Sequence, residues 1–117
     1  MFKRQTNKDT GDRAEHLALE HLLQNGLTLV TQNYHCKFGE VDLIVNDNNT
    51  LVFVEVRYRK NDRFGSALES VTKSKQDKIA TTARHYLAKH KLGESRPIRF
   101  DVIGITAHNI EWIKHAF

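Results

Sequence analysis

Two carboxylates on neighbouring predicted strands are the residues of this sequence best placed to do chemistry. Residues 40–46 and 51–57 are apolar stretches around a polar DNNT segment, which predicts a β-hairpin with two asparagines in its turn. In that register Asp42 lies directly opposite Glu55. Like charges so placed repel each other, and a Mg²⁺ or Mn²⁺ ion bound to both would remove the conflict. The hairpin therefore predicts a divalent-cation site.

The same register places Glu40 opposite Arg57, and the period of two puts all four charged side chains on one face of the hairpin. The other face is predicted to be apolar throughout, with Val41, Leu43, Val45, Val52, Val54 and Val56. A second interpretation needs no metal: Arg57 forms ion pairs with Glu40 and Asp42 on a solvated strand face.

The elements around the hairpin determine how these acids are held. A helical pattern begins at Asp12 and ends at Gly26, residues 27–36 read as a strand, and a second helix runs from about Thr72 to His90. Residues 98–105 form a further strand, and the segment after it predicts a short edge strand. The order α–β–β–β–α–β indicates an α/β fold, in which a mixed sheet with a parallel crossover pair is flanked by helices.

Composition sets the class of protein. The chain has 117 residues, a net charge of +4 and one cysteine, which excludes an internal disulfide and a CxxC zinc site. No apolar run is long enough to span a membrane, and the first residues lack the apolar core of a secretory signal, so we predict a cytoplasmic protein. Residues 1–10 are predicted to be a flexible arm and residues 11–117 a single domain.

The hairpin sequences GEVDLI and FVEVRYR resemble the YraN-like family of uncharacterised bacterial proteins. The resemblance spans roughly residues 11–105, and its further matching positions are Gly11, Glu15, Ala18, Leu22, Phe64, Gly65, Val71, Lys75, Arg99, Phe100, Asp101 and Val102. That family is similar to the restriction-endonuclease-like superfamily, which carries the PD-(D/E)XK motif, and within it to archaeal Holliday junction resolvases.

The resemblance implies roles for particular residues. Asp42 and Glu55 take the places of the two motif acids and would hold Mg²⁺ or Mn²⁺, with the Val56 carbonyl as a further ligand. Glu15 resembles the helix acid that lies beside the metal in those resolvases. Arg57 stands where the motif usually has lysine, and arginine is a poor general base because it stays charged. The motif's proline is also absent, since Val41 precedes Asp42.

The spacing of Glu15 also allows a local role. With Asp12 as N-cap, Glu15 would occupy the third helical position, where a carboxylate stabilises the start of a helix. A capping side chain points back along its own helix, whereas a metal ligand points towards the sheet.

A basic segment follows the acidic strand, with Arg59, Lys60 and Arg63 interleaved with aromatic rings, a combination suited to nucleic acid. Lys75 and Gln76, near the start of the second helix, are further candidates for phosphate contact. A solvated loop and an ordinary helix surface are the alternatives.

These observations favour a metal-dependent nuclease that hydrolyses DNA phosphodiester bonds in structured or branched substrates. Cutting two strands would favour a two-fold homodimer. A nucleic-acid-binding module that does not cleave is the alternative, consistent with Arg57 in the lysine position. A third hypothesis is a small interaction protein whose acidic face binds a protein partner.

Overall fold

The computed structural model describes residues 7–61, 63, 65–92, 96–107 and 109–117. Its elements are α1 (Asn7–Gln24), β1 (Thr28–Cys36), β2 (Gly39–Asp47), β3 (Thr50–Tyr58), a 3₁₀ turn (Leu68–Ser70), α2 (Lys73–Lys89), β4 (Ile98–Ile105) and β5 (Ile110–Ile113). The predicted element order and the extra edge strand are confirmed. Within the described part of the chain, no helix is both long and apolar enough to cross a membrane.

The five strands form one sheet in the order β1-β2-β3-β4-β5. All neighbouring pairs are antiparallel except β3 and β4, which are parallel and connected through α2 as predicted. The hairpin register is also as predicted, from Asp47 opposite Thr50 to Leu43 opposite Val54. Asn48 in the turn has a φ of 55°, a conformation that asparagine tolerates better than most residues.

The sheet separates two apolar cores. Against α1 lies a cluster formed by Ala14, Ala18, Leu22, Leu27, Leu43, Val45, Val52, Val54, Ile103 and Ile105. Against α2 lies a cluster formed by Val41, Ile44, Leu51, Phe53, Ala67, Val71, Ile79, Ala83, Tyr86 and Val102. Both faces of β2 and β3 are therefore buried, as expected for central strands covered by helices.

The predicted placement of Val41 is wrong. It packs in the α2-side cluster, whereas Leu43, two residues on, packs in the α1-side cluster. Strict alternation would put both on one face, so the alternation of β2 is interrupted at Asp42. This local irregularity determines where the Asp42 carboxylate lies.

The start of the first helix also differs from the prediction. The first residues of the helix are polar and show no apolar period. The helix α1 nevertheless begins at Asn7, five residues before Asp12. Residues 7–10 are therefore helical, and the rest of the predicted arm, residues 1–6, lies outside the described residues. The second helix begins where predicted, with the Thr72 hydroxyl accepting a hydrogen bond from the Lys75 main-chain N–H at 3.1 Å.

A buried ionic network fixes the last strand. Asp101 on β4 is fully buried and accepts hydrogen bonds from the Arg99 guanidinium, the Trp112 indole at 2.9 Å and the His115 main-chain N–H at 3.2 Å. Arg99 also binds Asp47 at 2.8 Å. Because Trp112 is on β5 and His115 follows it, this network holds β5 and the tail against the rest of the sheet.

Candidate functional site

The acid site lies where β2 and β3 stop pairing. Regular pairing ends at Leu43 and Val54, whereas β3 remains paired with β4 as far as Tyr58. In place of a main-chain carbonyl of β2, the Asp42 carboxylate accepts the Val56 N–H at 2.8 Å. The strand irregularity at Asp42 thus turns its carboxylate into the plane of the sheet, towards β3.

Asp42 and Glu55 meet there. Their carboxyls lie close enough for each to influence the protonation of the other. Glu55 is only 4% exposed, and burial followed by the charge of Asp42 raises its pKa to about 7, against the opposing influence of Lys75 and Arg57. Burial also raises the pKa of Asp42, although the hydrogen bond from Val56 opposes the shift. The two predicted acids therefore lie near each other, although the regular pairing of β2 with β3 stops one residue before them.

Glu15 reaches the same site from α1. Since the helix begins at Asn7, Asp12 lies inside it and the proposed cap does not exist. Burial, then the nearby charges of Asp42, Asp12 and Glu40, raise the pKa of Glu15 to about 7. Its Oε1 is buried without a hydrogen-bond partner among the described residues. A buried, unpartnered carboxylate oxygen is costly, and a bound cation or a proton would satisfy it.

Two cations flank Glu55 on the α2 side. The Arg57 guanidinium lies 3.4 Å from Glu55 Oε2 and also donates to the Ser70 hydroxyl at 3.2 Å and the Ser70 carbonyl at 3.3 Å. Lys75 Nζ lies 4.0 Å from the same Glu55 oxygen. Both side chains are about one-third exposed, so they neutralise Glu55 while remaining within reach of an incoming anion.

The ion pairs predicted for the metal-free interpretation are wrong. Glu40 pairs with His35 at 3.2 Å on the exposed side of the β1–β2 hairpin. Arg57 pairs with Glu55 in its own strand and with Ser70 in the loop before α2. Ser70 is a partner that the sequence reasoning missed, because nothing local marks a serine beyond a loop as the anchor of Arg57.

The donor atoms of the site are all hard oxygens. Within one β-residue the N–H and C=O point to the same side, so the Val56 carbonyl faces the gap that its N–H faces. Across the described residues, no group of three or more His, Cys, Asp or Glu side chains is arranged to hold a metal ion. The site offers instead two neighbouring carboxyls, a main-chain carbonyl and the nearby Glu15, and Mg²⁺ and Mn²⁺ prefer such oxygen donors.

Of the residues predicted to contact nucleic acid, three are accessible to it and two are engaged in hydrogen bonds within the protein. Lys75 adjoins the acids, and Lys60 and Arg63 are exposed in the loop after β3. Arg59 is partly buried and its guanidinium binds the Gly65 carbonyl, while the Gln76 amide turns back to the Val71 carbonyl at 3.1 Å. Phe64, an aromatic member of this segment, lies outside the described residues.

The fold and site thus define a mixed α/β protein in which a buried glutamate lies near a half-buried aspartate at a strand gap. The chain belongs to the uncharacterised protein family UPF0102, whose pattern matches residues 14–105, so the predicted YraN-like membership is confirmed. It is 54% identical over 111 residues to a UPF0102 protein of Saccharophagus degradans, covering 95% of this chain and 94% of that one. A Nitrosococcus oceani relative is 47% identical over 120 residues, covering 99% and 97% of the two chains.

Proposed function

We propose that the protein is a divalent-cation-dependent nuclease that hydrolyses phosphodiester bonds of DNA on a restriction-endonuclease-like fold. The observation that carries this proposal is the proximity of Asp42 and Glu55 at the point where the β2–β3 pairing ends. Glu55 is buried and Asp42 half-buried, and two carboxyls held so near each other favour a proton or a cation over two free negative charges. The α–β–β–β–α–β order, with these acids on β2 and β3, supports the fold assignment.

Asp42, Glu55 and the Val56 carbonyl would hold the cation, with Glu15 beside them rather than in a preformed site of three carboxylates. The bound ion would lower the pKa of a water and stabilise negative charge on the scissile phosphate. The Val56 N–H fixes the orientation of Asp42, and burial between the sheet and α1 restricts the rotamers of Glu15.

Two cationic side chains would receive the substrate. Lys75 and Arg57 approach the acid pair from the α2 side, and each is exposed enough to contact a phosphate that reaches the site. Exposed Lys60 and Arg63 extend this positive surface along the loop after β3. Because Arg57 stays charged, we assign it to holding Glu55 and neutralising phosphate rather than to accepting a proton.

Cation binding is the first test, because it does not depend on knowing the substrate. Mn²⁺ at about a hundred times its Kd stabilises a protein by about 2.7 kcal/mol. We expect thermal unfolding to show this gain for wild type and to lose it in Asp42→Asn. The exposed Asp77→Asn on α2 is the matched control and should behave like wild type. Equal metal affinity in wild type and Asp42→Asn, measured by calorimetry, would contradict the proposed cation site.

The metal affinity should also depend on pH. The pKa values of Glu55 and Glu15 are about 7, so below that pH the cation competes with protons on its own ligands. Affinity should therefore rise as the pH increases from 6 to 8, by up to about tenfold per pH unit for each proton displaced. Calorimetry in buffers of different ionisation enthalpy measures the protons released.

Cleavage is the second test and separates the enzyme from its alternatives. A labelled four-way junction and a linear duplex of the same sequence are incubated with Mn²⁺, and Asp42→Asn should abolish cleavage. Salt-sensitive binding without cleavage would instead indicate the nucleic-acid-binding module. Neither binding nor cleavage would leave the protein-interaction hypothesis.

A further inference from the structure

A cavity of about 250 Å³ lies at the carboxyl ends of β3 and β4, apart from the acid pair. Its lining includes Arg59 after β3, Ser66 in the following loop, Asn109 before β5 and Glu111 within β5. We call it the Arg59–Glu111 pocket. The hydrolysis proposed above uses none of these side chains, so their convergence needs a separate explanation.

Arg59 has a hydrogen-bond donor that the described protein leaves unused. Its main-chain N–H donates to the Ile105 carbonyl at 2.9 Å, which fixes the backbone at the pocket wall. One terminal nitrogen of its guanidinium binds the Gly65 carbonyl. Its Nε, however, is buried without a partner among the described residues. A buried guanidinium N–H is costly to leave unpaired, so the pocket favours a ligand that brings an acceptor.

Glu111 lines the same cavity and offers a negatively charged hydrogen-bond acceptor, whereas Arg59 offers a donor. Its Oε1 accepts a long hydrogen bond of 3.4 Å from the Ala67 N–H, and the residue is otherwise exposed. The carboxylate disfavours a phosphate or any other anion in the pocket. The ligand that fits both groups therefore carries acceptors for Arg59 and donors for Glu111 on one small, uncharged body.

The wall between the two residues is formed by close backbone packing. A Cβ added to Gly104 would lie 2.4 Å from the Ala67 Cβ, so the loop before α2 rests directly on the backbone of β4. The pocket volume lies just below the roughly 300 Å³ at which ligand sites usually begin. A single planar ring system fits that size, and a duplex does not.

We propose that the Arg59–Glu111 pocket binds one unpaired nucleobase of a nucleic-acid strand that crosses the acid site, and that it prefers guanine. This inference rests on the proposed function and specifies its substrate. Guanine presents adjacent N1–H and N2–H donors, which suit a carboxylate, and O6 and N7 acceptors, which suit arginine. No other standard base offers two adjacent donors together with two acceptors on its neighbouring edge.

The position of the pocket agrees with a strand that reaches both sites. Glu55 and Arg59 are four residues apart, and at about 3.3 Å per residue their Cα atoms lie about 13 Å apart. An extended single strand covers that distance within a few nucleotides. Exposed Lys60 and Arg63 follow Arg59 in the same loop and supply charge for the intervening phosphates.

The test uses fluorescein-labelled oligothymidine decamers that carry one central guanine, adenine, cytosine or thymine. Binding to the full chain is measured by fluorescence anisotropy in EDTA, so that no strand is cleaved. We expect the guanine decamer to bind about tenfold more tightly than the others, the discrimination of a good base contact. Hypoxanthine, which lacks the N2 amino group, should lie in between.

Glu111→Gln is the informative variant, because glutamine can still accept the Ala67 N–H but no longer provides two acceptor oxygens for guanine. Its preference for guanine should fall to within about twofold of the other bases, as expected for a lost bidentate pair. Glu20→Gln, an exposed glutamate on α1, is the matched control and should keep the preference. Equal wild-type affinity for all four decamers, or an unchanged preference in Glu111→Gln, would overturn the proposal.

The outcomes also separate this inference from the proposed function. Mn²⁺-dependent junction cleavage with no guanine preference would reject the pocket and retain the nuclease. A guanine preference without cleavage under any divalent cation would reject the nuclease and retain base recognition by a binding module. If neither is observed, both proposals fail.

Discussion

Two buried carboxylates on adjacent strands of this sheet have opposite surroundings. Asp101 on β4 and Glu55 on β3 are 0% and 4% exposed, and Asp101 pairs in the ladder with Val54, the residue before Glu55. Asp101 receives three kinds of donor on the α1 side, including a guanidinium in direct contact. Glu55 faces another carboxyl, and its nearest cations lie at 3.4 and 4.0 Å.

The contrast separates an acid whose hydrogen bonds are satisfied within the protein from an acid whose surroundings disfavour its charge. The Asp101 network is complete, so a further ligand would have to displace an existing hydrogen bond. At the Asp42–Glu55 site Arg57 and Lys75 oppose the unfavourable burial and mutual repulsion of the acids only in part, because the pKa of Glu55 is still raised to about 7, and such perturbed groups are typical of binding and catalytic sites. Mutations at the two sites should therefore change stability in opposite directions.

The largest effect is expected at Asp101. Asp101→Asn leaves the Arg99 charge buried with one carboxylate fewer, and breaking a buried ion pair in this way typically costs about 3–5 kcal/mol. Urea unfolding followed by fluorescence of Trp112, the protein's one tryptophan, measures the loss and reports directly on a partner of Asp101. A loss below about 1 kcal/mol is the range of surface ion pairs. Such a small loss would contradict the contrast drawn between the Asp101 network and the Asp42–Glu55 site.

The opposite sign is expected for Glu55→Gln in metal-free buffer. The pKa of Glu55 is about 7 in the folded protein against an ordinary 4.5, so the fold favours the protonated form. The resulting cost is absent below pH 4.5, grows as the pH rises to 7 and is complete above it. At 1.36 kcal/mol per pKa unit it reaches about 3 kcal/mol.

Glu55→Gln should therefore be more stable than wild type at pH 8, and the gain should vanish at pH 4.5. Paired urea titrations at the two pH values measure it. If the variant is less stable than wild type at pH 8, Glu55 is a structural acid like Asp101.

A smaller gain is expected for Glu15→Gln. The pKa of Glu15 is also about 7, and its Oε1 lacks a partner among the described residues, but the side chain is partly exposed and solvent reduces the cost. We expect about 1 kcal/mol of added stability at pH 8, after that discount. If Glu15→Gln also weakens Mn²⁺ binding, Glu15 belongs to the same cation site as Glu55. A loss of stability at every pH would instead indicate a structural role in α1.

The smallest effect is expected for Arg57→Lys, which introduces the residue type usual in the PD-(D/E)XK motif that the hairpin resembles. Lysine can neutralise Glu55 but cannot also bind the Ser70 hydroxyl and carbonyl as arginine does. The site is one-third exposed, so we expect a loss of under about 1 kcal/mol. Junction cleavage by this variant tests the role assigned to Arg57, and a large rise in rate would mean that the wild type lacks a proton acceptor there.

The features that could be predicted from the sequence are those that depend on residues close together along the chain. The turn residues and the alternation of the hairpin were sufficient to fix its register, and hence to bring Asp42 and Glu55 together. The family resemblance then supplied Glu15, whose spacing alone favoured a helix cap. The polar residues ahead of Asp12 carry no apolar period, so they concealed the true start of α1.

Features that depend on packing between distant segments were not predictable. The alternation on which the prediction for Val41 relied is broken where the Asp42 carboxylate accepts a hydrogen bond from the Val56 main-chain N–H. Asp101 gains two of its partners only because β5 returns antiparallel to β4 and brings Trp112 and His115 beside it. The Arg59–Glu111 pocket likewise joins side chains that are about fifty positions apart.

The contact between Gly104 and Ala67 has a consequence for how the molecule could change over evolution. Even the smallest side chain at position 104 would push the Ala67 loop outwards. That loop also carries Ser70, the anchor of Arg57, and the Ala67 N–H that Glu111 accepts. A single added methyl group at position 104, in the wall of the pocket, would thus disturb both the pocket and the anchor of Arg57 beside the acids.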